Sequence, residues 1–131
     1  MRGRPARVML TYGRFDMLHQ DHLRFLRQIS AMGHELIVGC ESDALAAQSG
    51  YPCARSFEER RGMLESCRFV SRVIAETDPN QKRTDIVNYN VSAIVLGKYQ
   101  YGQLDHLQDI AQIVYLPRLA PRKIREFVKF S

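Results

Sequence analysis

The chain predicts an α/β fold, a parallel sheet with helices packed on both faces, and three observations carry that prediction. Apolar runs and amphipathic stretches alternate from one end to the other, the runs are apolar at consecutive positions, and the first closes on a glycine before a histidine-bearing turn. Strands buried on both faces read as unbroken apolar runs, and strand alternating with helix makes crossovers that cover a parallel sheet on either side.

The elements follow in order. The run 7-RVMLTYG-13 reads as a buried strand ending at Gly13. From His22 to Met32, Leu23, Leu26 and Ile29 with Phe25 alongside form one helical face, and Gly33 reads as its stop. A second strand is 36-LIVGC-40. The stretch 56-SFEERRGMLESCRFV-70 opens with Ser56 and Glu59 at capping-box spacing, and Phe57, Leu64 and Cys67 then mark a buried stripe. Strands at 72-RVIAE-76, 92-SAIVLG-97 and 112-QIVYL-116 are separated by a helix over Gln81 to Tyr89 and a short one within 103-QLDHLQDI-110. A last helix starts near Pro121, which suits a first turn, and runs toward Phe130. With no repeat, linker or low-complexity segment, residues 1–131 read as a single domain.

Composition narrows the function. Hydrophobic residues make up 45% and charged residues 25%, an ordinary globular balance. No apolar stretch approaches the ~20 residues that span a bilayer, and MRGRPAR leads only into the short run MLTY, so a cytoplasmic protein with no membrane partner is expected. Cys40, Cys53 and Cys67 have no CxxC or Cys/His spacing, which predicts reduced thiols and no bound structural metal. The net charge of +5 comes from 19 basic and 14 acidic residues, with arginine dominant, and suits a phosphate-bearing ligand or an acidic partner. No nucleic-acid recognition motif accompanies it. His34 and His106 read as surface histidines, Tyr99 and Tyr101 as packing residues, and Arg2, Arg4 and Arg7 as a frayed basic start.

The informative stretch is 12-YGRFDMLHQDH-22, the first strand-to-helix turn, where ligands of open parallel sheets bind. His19 and His22 stand three apart at a helix start. They project to one side, beside free backbone N–H groups and the positive end of the helix dipole, an arrangement suited to a nucleotide polyphosphate. On its own such a pair is more often a surface or structural feature; its surroundings give it weight.

That string resembles the YGTFDLLHxGH signature of the cytidylyltransferase family of nucleotidyltransferases. The resemblance continues through 56-SFEERRGMLESCRFVSRVI-74, 94-IVLGK-98 and 114-VYLPR-118, from about Arg7 to Phe127. It implies a Rossmann-like fold, a homodimer, and transfer of CMP from CTP, with Mg²⁺, to a small phosphorylated alcohol such as glycerol 3-phosphate. By position it implies that His19 and His22 contact the triphosphate and that Phe15 and Asp16 shape the turn. It sets Tyr12, Gly13, Arg60 and Arg68 in the ligand region and Arg118 at the arginine of a late RTxGISTT motif.

Departures from the family pattern fall on the site. Asp21 replaces the glycine of HxGH, adding bulk and negative charge where a triphosphate would lie. Two unit charges ~4 Å apart at an effective dielectric of ~20 interact by roughly 4 kcal/mol, against the roughly 8 kcal/mol of a micromolar ligand. Arg14 replaces a threonine, 48-QSGYPC-53 carries no lysine where the family has a lysine-rich loop, and Lys98 and Tyr99 stand where acidic residues are frequent. RTxGISTT has become 118-RLAPRKI-124, in which Ala120 and Pro121 cannot replace hydroxyl donors.

Three expectations result. In one, Asp21 and Arg14 pair inside the phosphate site and activity is weakened or lost. In another, Arg14, Arg122 and Lys123 supply the missing charge and Asp21 helps hold Mg²⁺, or simply favours the helix start through the dipole. In the third, the chain is a non-catalytic module that binds protein partners.

Overall fold

The computed structural model of the chain describes residues 6–97 and 100–117. Its elements are β1 (Val8–Gly13), α1 (Gln20–Ser30), β2 (Glu35–Glu41), α2 (Asp43–Gln48), α3 (Phe57–Glu65), β3 (Arg72–Glu76), α4 (Lys82–Asn88), β4 (Ala93–Gly97), a 3₁₀ turn at Asp105–Leu107, and β5 (Gln112–Leu116). The strands form one parallel sheet in the order β3-β2-β1-β4-β5. The chain therefore steps outward from β1 to β3, then crosses back to lay β4 on the other side of β1. That reversal opens a crevice at the carboxyl ends of β1 and β4, the usual ligand position in a Rossmann-like sheet.

Strand periodicity sorts the core into two layers. Met9, Leu36, Val38, Ala93 and Val95 pack with Phe25, Leu26 and Ile29 of α1 and Leu64 of α3. Val8, Leu10, Ile37, Ile94 and Leu96 face the other way, against Ile86 of α4 and Leu104 and Leu107 around the 3₁₀ turn. Helices thus cover both faces, as the unbroken apolar runs predict.

Local details differ from the sequence reading. Helix α1 begins at Gln20, and its buried stripe is His22, Phe25, Leu26 and Ile29, with Leu23 at 36% exposure. Gly33 is not a left-handed stop: a Cβ there would lie 2.7 Å from the Arg7 carbonyl oxygen, so close packing is what excludes a side chain. Helix α3 ends at Glu65, where Ser66 Oγ donates to the Met63 carbonyl and the chain turns toward β3. Helix α2 was not predicted, and the 103–110 stretch holds only the 3₁₀ turn. Arg7 is no frayed end, since its Nε donates to Met32 O and its N–H to His34 Nδ1. Among the described residues no helix is long and apolar enough to cross a membrane. The predicted last helix, Arg118, Lys98 and Tyr99 lie outside the described residues.

Candidate functional site

The turn after β1 is built around Phe15. A Cβ on Gly13 would sit 2.8 Å from Phe15 Cε2, so only glycine lets that ring fold back over the strand end. Phe15 has φ 51°, a left-handed conformation that costs a bulky residue about 1–2 kcal/mol. Burial offsets the cost: Phe15 is 4% exposed, and its ring meets His22 edge-on with centroids 5.5 Å apart. The next residue, Asp16, then accepts from the backbone N–H groups of Ala54 and Arg55 at 2.8 and 2.9 Å, tying the segment before α3 to this turn.

His19 and His22 start α1 as a reciprocal cap. His19 Nδ1 accepts from Asp21 N at 3.1 Å, and His22 Nδ1 accepts from His19 N at 3.1 Å. One backbone N–H expected to be free for a ligand is thus taken by His19 itself. A ring nitrogen that accepts carries no proton, so in each neutral ring the proton is on Nε2. The rings are nearly perpendicular, 6.4 Å apart; His22 is buried and His19 is half exposed.

Arg14 and Asp21 do not pair. Asp21 lies 3.8 Å from His19 Nδ1 and 4.0 Å from Arg24 Nη1. Arg14 turns away beneath the loop after α2, with Nε 3.5 Å from Glu41 Oε1 and Nη2 3.3 Å from Ala46 O, and it also donates to Tyr51 O and Ser49 Oγ. The physical reason is local: the carboxyl end of α2 presents backbone carbonyls and the negative end of its dipole beside the Glu41 carboxylate.

Arg60 of α3 is fully buried, and the protein itself uses its guanidinium. Nε donates to Arg55 O at 3.1 Å, Nη1 to Arg14 O at 2.9 Å and Glu41 O at 2.6 Å, and Nη2 to Asp43 Oδ1 at 2.8 Å. It therefore joins the ends of β1 and β2 to the start of α3. Burial pushes the neighbouring Cys40 thiol up to about 11. Arg68 is not brought to this place. It lies near the start of β3, where Ser71 N donates to Leu36 O, and its guanidinium covers the Phe69 ring at 5.0 Å.

The Asp43 carboxyl is held below the usual range by the Phe57 N–H and then by Arg60. A depressed folded-state value contributes stability that is complete above the unfolded value and is lost as pH falls through the folded one. Because the Asp43 side chain is 58% exposed, solvent screening limits this to a few tenths of a kcal/mol. Urea unfolding of wild type and Asp43→Asn should therefore differ by that amount at about pH 6 and converge toward about pH 3. A difference that stays constant over the range would refute the assignment.

A second polar group, missed from sequence, lies on the α4 side. Lys82 Nζ is 2.8 Å from Glu76 Oε2 and sits 4.6 Å from the centre of the Tyr12 ring. Tyr12 Oη donates to Asp85 Oδ2 at 2.7 Å, and burial together with that carboxylate raises its pKa well above the ordinary phenol value. Desolvation likewise raises Glu41. The signal was legible: Glu41 and Glu76 are charged residues closing the apolar runs 36-LIVGCE-41 and 72-RVIAE-76 at the carboxyl ends of their strands. With Tyr12, Gly13, Lys82, Gln100 and Gln103 they line a cavity of about 270 Å³, closed on its apolar side by Leu96 and Leu104.

The cytidylyltransferase-like family of nucleotidyltransferases matches residues 10–130, so the chain, with its parallel Rossmann-like sheet and a histidine-capped helix after the central strand, belongs to that family. Among individual proteins it is similar to glycerol-3-phosphate cytidylyltransferase of Bacillus subtilis (strain 168), 36% identical over 121 residues that cover 90% of this chain and 94% of that one. The enzyme of the same description from Staphylococcus aureus (strain NCTC 8325 / PS 47) is 36% identical over 110 residues, covering 84% and 83%. In fold, the chain matches the crystal structure of a lipopolysaccharide core biosynthesis protein from Thermoplasma volcanium GSS1. That match has a TM-score of 0.78 at 20% identity and covers 88% of this chain and 99% of that one.

Proposed function

We propose that this chain transfers CMP from CTP to a small phosphorylated alcohol such as glycerol 3-phosphate, with an affinity for the triphosphate lowered by Asp21. An oxygen of the acceptor's phosphate attacks the α-phosphorus of CTP, the bond from that phosphorus to the bridging oxygen breaks, and pyrophosphate leaves. No covalent enzyme intermediate is required, so the protein acts by alignment and by stabilising charge. The carrying observation is the reciprocal cap, which holds both imidazoles with Nδ1 accepting, so that the half-exposed His19 ring can offer its Nε2–H to phosphate oxygens while His22 stays buried against Phe15. Similarity to glycerol-3-phosphate cytidylyltransferases over most of the chain supports the choice of substrates.

Mg²⁺ would enter with the nucleotide and neutralise phosphate charge. Among the described residues no group of three or more His, Cys, Asp or Glu could hold a metal alone, and Mg²⁺ commonly binds one or two carboxylates plus substrate phosphates. Asp21 is the carboxylate placed beside the histidine pair.

The test is calorimetric titration with CTP and Mg²⁺ beside ATP, followed by pyrophosphate release with glycerol 3-phosphate. Selective binding of CTP and CMP transfer are the expected results. Absence of heat at millimolar CTP would overturn the proposal in favour of a non-catalytic module, the reading to which the hydroxyl-poor 118-RLAPRKI-124 points. Asp21→Gly should tighten CTP binding roughly 5- to 30-fold, about 1–2 kcal/mol once solvent and the neighbouring His19 and Arg24 screen the charge. Weaker binding of Mg²⁺-CTP by the variant would instead make Asp21 an ion ligand.

A further inference from the structure

We infer that the guanidinium of Arg55 reaches the phosphates gathered at His19 and offsets part of the charge of Asp21, the task that sequence proximity offers to Arg14. The ligand's name rests on the transferase reading above; the anion-binding role of Arg55 does not.

Asp21 leaves a charge to be answered. Its carboxylate lies 3.8 Å from His19 Nδ1 and 4.0 Å from Arg24 Nη1, the outer limit of an ion pair, so it bears on any anion that the half-exposed His19 ring receives. The cations nearest in the fold are committed elsewhere. Arg14 is turned to Glu41 and the end of α2, Arg60 to Asp43 and backbone carbonyls, and Lys82 to Glu76. Arg55 is different. It is exposed, and among the described residues its guanidinium makes no hydrogen bond or ion pair.

The backbone of Arg55 is held from two sides. Asp16, three residues before His19 in the same turn, accepts from Arg55 N at 2.9 Å, and the buried Arg60 donates Nε to Arg55 O at 3.1 Å. The other Asp16 oxygen accepts from Ala54 N at 2.8 Å, so each oxygen of this neighbouring carboxylate already holds a backbone donor. The start of α3 offers an anion little instead. Phe57 N donates to Asp43 Oδ2, Glu59 N to Ser56 Oγ, and Ser56 N to Glu59 Oε1. What this segment presents beside the histidine turn is therefore a permanent cation on a fixed stretch of backbone. A guanidinium suits the purpose, because its planar fork matches phosphate oxygens in pairs.

Calorimetric titration of the full chain with Mg²⁺-CTP and, separately, with inorganic tripolyphosphate tests this. Arg55→Gln keeps both backbone bonds and should weaken each ligand about tenfold, with Arg55→Lys falling between it and the wild type. The wild-type advantage should shrink between about 0.1 M and about 1 M salt, as the screening length falls from roughly 10 Å to roughly 3 Å. Joined to Asp21→Gly, Arg55→Gln should bind CTP close to the wild-type affinity, since the two changes act with opposite sign. Unchanged affinity of Arg55→Gln for both ligands, or a loss that salt does not reduce, would overturn the assignment. Arg55-dependent binding of tripolyphosphate without CMP transfer keeps the assignment and sinks the transferase. CMP transfer with affinities indifferent to Arg55 does the reverse, and no binding of either ligand overturns both.

Discussion

Replacing Arg60 with methionine is expected to destabilise the protein by about 3–5 kcal/mol, a large part of the roughly 5–15 kcal/mol that holds a domain folded. Methionine approximates the aliphatic stem, so the loss is not one of packing volume. It arises because the carbonyls of Arg14, Glu41 and Arg55 lose their donor inside the protein, and Asp43 loses its cation. Arg60→Lys should recover only part of the loss, since a single ammonium cannot reach acceptors spread around a planar fork. Denaturant unfolding measures both variants. A loss under about 1 kcal/mol for the methionine variant would show that these bonds are replaced by water at little cost.

The double substitution His19→Asn with His22→Gln should lower kcat/KM for CMP transfer about 100- to 1000-fold while changing stability by no more than about 1 kcal/mol. Asparagine is a good helix cap, and glutamine at the third helical position can return the reciprocal bond to the cap's backbone N–H. The cap survives and the Nε2–H donor of the half-exposed His19 does not. Retained activity would mean that the histidines serve only to start α1. Collapse of the fold would mean that packing of His22 against Phe15 outweighs its hydrogen bonds.

The centre of the sheet was legible because β1, β2 and β4 are buried on both faces, so 7-RVMLTYG-13, 36-LIVGC-40 and 92-SAIVLG-97 stand out without any periodicity to interpret. The start of α1 was read two residues late because histidines rarely serve as caps, although both belong to one here. Helix α2 escaped because six residues are too few to show a helical period; only Ser42, whose Oγ accepts from Leu45 N, marked it. Arg14 illustrates the deeper limit. Its sequence neighbourhood offered Asp21, but a side chain leaving a strand end goes where the backbone turn aims it, toward Glu41 on the adjacent strand. Pairings across a sheet carry no local signature. The same holds for Lys82 above Tyr12, and for Arg68, which family position set in the ligand region and the fold sets near the start of β3.

The segment between α2 and α3 is fastened at Ser49 and Tyr51 by Arg14 and at Ala54 and Arg55 by Asp16. A loop so anchored has little conformational entropy left to surrender when a ligand arrives. Recognition beside it is then governed by how well charges and hydrogen bonds match, with little contribution from ordering of the chain. Selectivity among candidate substrates should accordingly appear mostly as differences in how fast they leave.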